Sequence, residues 1–204
     1  MEQVLPNLRH LRVFREVAAQ RSISQAAARV FLSQPAITQA IAKLERLLNT
    51  TLFERHSEGM RPTEAGLLYA QRVDRALNLI RCGVQDALRL GTEKASRNRG
   101  TADQLLTVTQ LRALVAVSNA GNFTLPARAI GTSQPALYRA ARELESLLGI
   151  CLYEKNAQGI DLSRQGQVLV QPIKLAFAEL TQGLAEVAAL DGQETGRIVV
   201  GAMP

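Results

Sequence analysis

The sequence predicts a mainly α-helical protein that contains two copies of one folding module. An internal repeat is the first observation. When the chain is shifted by 100 residues, positions 11–66 align without a gap on positions 111–166, and 17 of the 56 pairs are identical. The composition is the second, because 47% of the residues are apolar and only 4% are aromatic, which favours packing between aliphatic helices. The third is the helical spacing of apolar residues along both copies.

Each copy is expected to begin with three short helices. Apolar residues at helical spacing predict the first of them, at Leu8, Leu11, Phe14 and Val17 in one copy and at Leu111, Leu114 and Val117 in the other. Ser24 and Thr124 are expected to cap a second helix, which ends at Val30 or Ile130. Ser33 and Ser133 are expected to cap a third helix, which has a proline in its first turn.

A hairpin and a long helix are expected to complete each copy. Two short runs around a turn at Gly59 or Gly159 predict a small β-hairpin, or wing. Thr63 and Ser163 are then expected to cap a long helix, and Pro172 is expected to kink the second one. Apolar residues at steps of three and four predict, on each long helix, a seam that packs along another helix. The seam residues are Tyr69, Val73, Leu77, Ile80 and Val84 in the first copy and Leu169, Ile173, Phe177, Leu180 and Leu184 in the second.

Three helices with a short break between the second and third, followed by a hairpin, indicate a winged helix-turn-helix. The predicted domains are two such modules at 6–63 and 105–163, two long linker helices at 64–90 and 164–191, and a polar interdomain linker at 91–104. The last segment, 192–204, changes to a β-like apolar run, and it is expected to begin a further domain.

The third helix has the residue types that a DNA reader needs. Ser33 offers a cap and a phosphate contact, while Gln34 and Gln39 can form hydrogen bonds with base edges. Pro35 and the Thr38 methyl group can meet a thymine methyl group. Cationic side chains flank this helix at Lys43, Arg55 and Arg61. The net charge of +6 and the pI of about 9.9 favour an anionic partner, with double-stranded DNA ahead of a membrane.

These residues resemble the LysR-type transcriptional regulator family. The resemblance depends on "SQPAITQAIAKLERLL", "LFER" and "PTEAG" in the first copy and on "SQPALYRAARELESLL" in the second. It implies a bacterial DNA-binding regulator that dimerises through its linker helices, with a small-molecule effector expected only for a C-terminal domain that "GRIVVGAMP" would begin. The DNA-contacting positions that it implies are Ser33, Gln34, Pro35, Thr38, Gln39, Lys43, Arg55 and Arg61, with Ser133, Gln134, Pro135, Tyr138, Arg139, Arg142 and Lys155 in the second copy.

The second copy departs from this pattern, so two alternatives remain open. Tyr138 replaces a small hydroxyl residue, while Glu143 and Asp161 replace basic residues. Residues 1–90 contain 13 basic and 8 acidic side chains, whereas residues 105–204 contain 8 of each. Both modules could read DNA, either as an intramolecular pseudo-dimer or in a homodimer. Alternatively, the first module alone reads DNA and the second serves dimerisation or protein interaction.

The sequence offers no sign of catalysis. It contains no nucleophile elbow, phosphate-cradling loop or paired catalytic carboxylates, so we expect no enzyme activity and no cofactor. His10 and His56 lack partners at metal-ligand spacing, so no metal is expected, and His56 is expected to be solvated or near a phosphate. Glu143 and Glu145 are expected to lie on exposed faces. Cys82 and Cys151 are expected to be reduced thiols, and the chain is expected to be cytoplasmic because it has no leader or membrane span.

Overall fold

The computed structural model describes residues 5–57, 59–91, 102–129, 131–156 and 159–195. Over these ranges the protein is mainly α-helical, as the sequence predicts, with two small antiparallel hairpins. The chain divides into two compact units. The first comprises Met1–Arg9 and Arg75–Ala178, and the second comprises His10–Asp74 and Glu179–Pro204. Each unit therefore contains residues from both copies of the repeat.

The first copy follows the predicted order of elements. They are α1 (Leu8–Gln20), α2 (Ile23–Val30), α3 (Gln34–Leu48), β1 (Phe53–His56), β2 (Gly59–Pro62) and the long helix α4 (Glu64–Arg89). Ser33 caps α3 as predicted, with its hydroxyl 3.4 Å from the backbone nitrogen of Ala36. The predicted cap of α2 is wrong, because the helix starts one residue after Ser22. The Ser22 hydroxyl accepts the cap hydrogen bond from Gln25, and Ser24 lies within the first turn.

The second copy repeats this order after one additional turn of helix. Its elements are α5 (Ala102–Leu105), α6 (Val108–Ala120), α7 (Thr124–Ala129), α8 (Gln134–Leu148), β3 (Tyr153–Asn156), β4 (Gly159–Leu162) and α9 (Arg164–Thr195). Thr124 is the first residue of α7 and does not cap it. The Asn122 side chain accepts hydrogen bonds from the backbone nitrogens of Thr124 and Leu125, each at 2.9 Å. Ser133 caps α8 as predicted.

Three further expectations fall on residues outside the described ranges. They are the end of the second short helix at Ile130, most of the polar linker at 92–101, and the β-like run after Thr195. The domain boundaries as a whole stay a prediction.

Aromatic and aliphatic side chains from several elements close the core of each module. Phe14 of α1 packs its ring 5.4 Å from that of Phe53 and 5.5 Å from that of Tyr69. In the second module the Phe123 ring lies 5.3 Å from Tyr138 and 5.8 Å from Tyr153. Burial of each large apolar side chain contributes roughly 1.5–3 kcal/mol, so these contacts fix the wing against the helices.

The two long helices are capped as predicted, and they pack on each other. Thr63 and Ser163 accept hydrogen bonds from the backbone nitrogens three residues later, at 3.0 and 3.1 Å. Helix α9 continues through Pro172. In the first unit Gly83 lies against Pro172, and the Gln165 amide donates to the Leu90 carbonyl at 3.2 Å. These two contacts show that the helices run antiparallel in that unit.

The predicted seam residues are buried or half-buried within a single chain. Eight of them are buried, namely Tyr69, Val73, Leu77, Ile80, Val84, Leu169, Ile173 and Leu180, and two are half-buried, namely Phe177 and Leu184. Their assignment to a dimer interface stays a prediction.

Candidate nucleic-acid interface

Helix α3 has one buried face and one exposed face. Ile37, Ile41 and Leu44 point into the core and are at most 5% exposed. The polar side chains of Gln34 and Gln39 are exposed. This division follows from the apolar spacing of the sequence and leaves a polar stripe beside a capped helix start.

The structure exposes every residue that the sequence predicts to contact DNA. All fifteen side chains are exposed, namely Ser33, Gln34, Pro35, Thr38, Gln39, Lys43, Arg55 and Arg61, and Ser133, Gln134, Pro135, Tyr138, Arg139, Arg142 and Lys155. The Ser33 hydroxyl oxygen accepts from the helix backbone, so its proton remains available to a phosphate oxygen. The Thr38 hydroxyl donates to the Gln34 carbonyl at 3.1 Å. The free backbone nitrogens of the first turn and the helix dipole favour an anion at this end.

A carboxylate that was expected on the surface joins the third helix to the wing. Glu145 accepts hydrogen bonds from the backbone nitrogens of Leu152 and Tyr153, at 2.7 and 3.2 Å. Only 11% of its side chain is exposed, so the expectation for Glu145 is wrong, whereas Glu143 is exposed. Glu45 has the same role in the first module. The sequence alone could not show this role, because the acceptor and the donors are seven or eight residues apart across a turn.

The two wing arginines of the first module point to opposite faces of the hairpin. Arg61 pairs with Glu54 across the strands, whereas Arg55 pairs with Met60. Successive residues of a strand alternate between faces, so Arg61 shares a face with Glu54 and Arg55 does not. The cation of Arg55 therefore lies opposite an uncharged residue, while that of Arg61 lies opposite a carboxylate.

A shallow cleft at the turn of this wing adds one basic side chain, that of Arg21, that sequence reasoning missed. Arg21, His56 and Arg61 line it, and the backbone nitrogen of Met60 donates to the Arg21 carbonyl at 2.8 Å. The imidazole of His56 lies 3.2 Å from the Glu54 carboxylate. A cleft with two arginines and a histidine suits a phosphate group.

The same surface of the second module has lost this charge. The counterparts of Arg21, His56 and Arg61 are Gly121, Asn156 and Asp161. Asp161 pairs across the strands with Glu154, so two carboxylates share one face of the second wing. A second shallow cleft, beside the start of α8, retains one cation and is lined by Thr109, Arg112, Thr132, Ala136 and Leu137.

Two predicted DNA contacts of the second module bind each other. The Arg142 guanidinium donates to the Tyr138 hydroxyl at 2.9 Å and to the Glu145 carboxylate at 2.5 Å. Its central carbon also lies 5.0 Å from the centre of the Tyr138 ring. Hydrogen bonds to the hydroxyl of Tyr138 and to Glu145 raise the pKa of Arg142, which therefore remains charged. Both side chains already have partners within the module, so contacts with DNA would compete with these interactions.

Three observations concern metal ligands, thiols and membrane spans in the described ranges. These ranges bring together no three His, Cys, Asp or Glu side chains that could hold a metal ion. Cys82 and Cys151 are free and exposed. No helix in this part of the chain combines the length and apolar content that a membrane crossing needs.

The fold and the exposed, capped third helices define the class as winged helix-turn-helix proteins. The family model described as "Bacterial regulatory helix-turn-helix protein, lysR family" matches residues 8–67 and again residues 108–167, together more than half of the chain. The chain therefore belongs to the LysR family of bacterial regulatory helix-turn-helix proteins, and it contains the family's helix-turn-helix segment twice.

Several relatives share parts of this sequence. The HTH-type transcriptional regulator GalR of Pseudomonas putida is 33% identical over 200 residues, which are 98% of this chain and 48% of that protein. The HTH-type transcriptional regulator PerR of Escherichia coli is 39% identical over 79 residues, 39% of this chain and 27% of that protein. The crystal structure of Vibrio fischeri DarR in complex with DNA is similar with a TM-score of 0.38 at 21% identity, over 42% of this chain and 29% of that one. The chain spans about half the length of GalR.

Proposed function

We propose that the protein is a sequence-specific regulator of transcription that binds operator DNA, with the α3 helix of the first module in the major groove. The observation that carries the proposal is the exposed polar face of this capped helix, which presents Gln34, Thr38 and Gln39 beside the cation of Lys43. Glutamine side chains can form paired hydrogen bonds with adenine in the major groove. Family membership supports the same class of activity.

The wing and the cleft at its turn supply contacts that do not depend on the DNA sequence. Arg55 is exposed on one face of the hairpin, while Arg21 and Arg61 border the cleft. Such cations contact the phosphate backbone on either side of the groove that α3 occupies. These contacts fix the position of α3 along the duplex. We therefore assign base recognition to α3 and salt-dependent affinity to the wing.

Fluorescence anisotropy with labelled duplexes tests this division of roles. Duplexes are first enriched from a random pool by the purified chain. Gln34→Ala should cost about 1–3 kcal/mol on an enriched duplex and little on random DNA, because it removes a base contact. Lys43→Ala should weaken binding to both and reduce the salt slope by about 1. Gln71→Ala is the matched control, since Gln71 is exposed on α4 and lies outside the third helix. Equal losses for Gln34→Ala and Gln71→Ala would contradict the assignment.

For the second module we propose weaker DNA binding or binding to a different DNA sequence. In the limiting case, this module does not bind DNA and serves only in dimerisation or protein interaction. The loss of charge at Gly121, Asn156 and Asp161 supports this, as does the contact between Tyr138 and Arg142. Gln134→Ala and Arg139→Ala test how much the second module contributes to DNA binding. Their affinities are measured on the duplexes used for Gln34→Ala. If affinity and salt slope are unchanged, the second module does not read DNA. Losses of affinity equal to that of Gln34→Ala would show that the second module contributes to base recognition as much as the first.

We further propose that the linker helices pair within one chain, which favours the pseudo-dimer over a homodimer. Support comes from the burial of the predicted seam residues in a single chain and from the contacts of Gly83 with Pro172 and of Gln165 with Leu90. Light scattering tests the proposal. A mass of 22.2 kDa across a wide concentration range is expected, and a mass of twice that value would contradict it.

A further inference from the structure

A half-buried arginine of the first linker helix lies between two glutamates of the second. In the second unit, Nη1 of Arg72 lies 2.9 Å from Oε2 of Glu179, and its Nε lies 2.9 Å from Oε2 of Glu186. A second hydrogen bond joins Nη2 of Arg72 to Glu186, so this pair is bidentate. The three side chains are 22%, 24% and 27% exposed, which limits screening by solvent and salt.

The backbone of α9 is shaped to receive this arginine. Glu179 and Glu186 are seven residues apart, or two helical turns, so they share one face. Gly183 lies between them, and a Cβ atom placed there would approach the Arg72 Cβ to 3.0 Å and the Tyr69 ring to 3.1 Å. The missing side chain therefore lets the arginine stem lie against the helix while its head reaches both carboxylates.

The repeat shows that only a mixed pair of linker helices contains this set of charges. The counterpart of Arg72 is Pro172, and the counterparts of Glu179 and Glu186 are Leu79 and Asp86. The glycine contact repeats at the matching positions, because Gly83 lies against Pro172 in the first unit as Gly183 lies against Arg72 in the second. The two helices thus use the same positions for packing, but only one of them contributes a cation there.

Pairing between two copies of the same linker helix would not place a cation between two glutamates. Two copies of α4 would place Arg72 opposite the apolar side chain of Leu79 and the shorter carboxylate of Asp86. Two copies of α9 would place Glu179 and Glu186 opposite Pro172, with no cation at that position. A partly buried charge that loses its partner is costly, and such mismatches are a common way to reject a wrong partner.

We propose that Arg72, Glu179 and Glu186 form a partner-selecting triad, which makes the first linker helix pair with the second linker helix and not with its own counterpart in another copy of the chain. The proposal rests on the intrachain pairing proposed above. The triad selects the kind of partner helix, and the covalent connection supplies that helix at a high effective concentration. As a result, the two different linker helices of one chain pair with each other, without a second copy of the chain.

Complementary charge reversal tests the triad without any DNA, so it is independent of the DNA-binding proposal. One chain carries Arg72→Glu, and a second, affinity-tagged chain carries Glu179→Arg with Glu186→Arg. Each alone has a mismatched triad within the chain. When the two are mixed, each α4 can form a matched triad with the α9 of the other chain. We expect the tagged chain to retain the Arg72→Glu chain and the complex to show twice the mass of the wild-type monomer.

Three controls make the outcome decisive. Arg81→Glu makes the same change of charge on an exposed position of α4, and it should not be retained by the tagged chain. Two wild-type chains should not associate. A single chain with all three reversals should recover the monomeric mass and the wild-type midpoint of thermal unfolding, which Arg72→Glu alone should lower by several degrees. Equal behaviour of Arg72→Glu and Arg81→Glu in mixing and in unfolding would overturn the proposal, and a dimeric wild-type chain would overturn the intrachain pairing beneath it.

Discussion

The Glu45 carboxylate accepts a hydrogen bond from the backbone nitrogen of Leu52 at 2.9 Å, across the junction between α3 and the wing. The same oxygen lies 3.4 Å from the nitrogen of Phe53. Leu52 is fully buried, so its N–H group has little access to water. Glu145 repeats the arrangement with Leu152, which makes this carboxylate the common link between the third helix and the hairpin of both modules.

Replacement of this carboxylate should destabilise either module. We expect Glu45→Ala and Glu145→Ala each to lower the free energy of unfolding by about 1.5–3 kcal/mol, since each removes a charged acceptor from backbone N–H groups. Urea denaturation followed by circular dichroism measures the change. Glu143→Ala is the matched control on the same helix, because Glu143 is exposed. A loss for Glu143→Ala as large as that for Glu145→Ala would contradict this role.

The two copies differ at backbone positions with positive φ. Arg21, Phe31 and Asn49 adopt φ values of 51°, 53° and 53° in the first copy, and glycines occupy the same three positions in the second, at Gly121, Gly131 and Gly149. A side chain in this left-handed region costs roughly 1–2 kcal/mol relative to glycine. The first module therefore contains strain that the second avoids.

Reciprocal substitutions at one of these positions test the strain. Gly121→Ala should destabilise by about 1 kcal/mol through backbone strain alone, since the nearest atom to an added Cβ is 3.7 Å away. Arg21→Gly should stabilise by up to about 1 kcal/mol and weaken DNA binding, because the cleft loses a cation. Thermal unfolding and anisotropy measure the two effects. If Arg21→Gly and Gly121→Ala shift the midpoint in the same direction, the explanation fails.

A buried tyrosine offers a stabilising substitution. The hydroxyl of Tyr153 is buried and has no hydrogen-bond partner among the described residues, and Phe53 occupies the same position in the first copy. An unpaired buried polar group costs about 1–3 kcal/mol. We expect Tyr153→Phe to raise the midpoint of thermal unfolding by about 2–4 °C per kcal/mol gained. A lower midpoint would show that the hydroxyl has a stabilising partner.

The same tyrosine should make stability fall at alkaline pH. Burial raises the pKa of Tyr153 above its ordinary value, and burial does the same for the pKa of Tyr69. The folded state therefore holds these protons more tightly than the unfolded state. Stability is retained below the unfolded pKa of about 10 and is lost as pH rises beyond it. Tyr153→Phe with Tyr69→Phe should flatten this fall in denaturation experiments between about pH 9 and 11. An unchanged slope would exclude these two groups as its cause.

Exchange of wing charges should shift DNA affinity between the modules. Asp161→Arg introduces a cation at the position of Arg61 and removes one of two facing carboxylates. We expect it to raise affinity for random duplex DNA and to steepen the salt slope by about 1. Arg61→Asp should have the opposite effect by a similar or larger amount. If both variants leave the slope unchanged, the wings do not contact phosphate.

Local signals in the sequence predicted much of the fold, and tertiary contacts account for what it missed. Ser33 and Thr63 were identified as caps because each directly precedes an apolar periodic run. Ser22 and Ser24 could not be separated in this way, since either lies within one residue of the helix start. Glu145 depends on contacts with a distant element, so its type and spacing predicted only an exposed charge. The sequence predicted no role for Arg72, because its partners lie on another helix more than 100 residues away. The cleft beside Arg21 likewise forms only after the hairpin packs on the end of α1.

The enrichment of duplexes from a random pool by the purified chain, at low ionic strength, tests the central claim most directly. We predict enriched sequences with one strongly selected block, which Gln34→Ala weakens, and a second, different and weaker block if α8 also contacts bases. Failure to bind or enrich any duplex at low ionic strength would contradict the claim that the first recognition helix binds DNA.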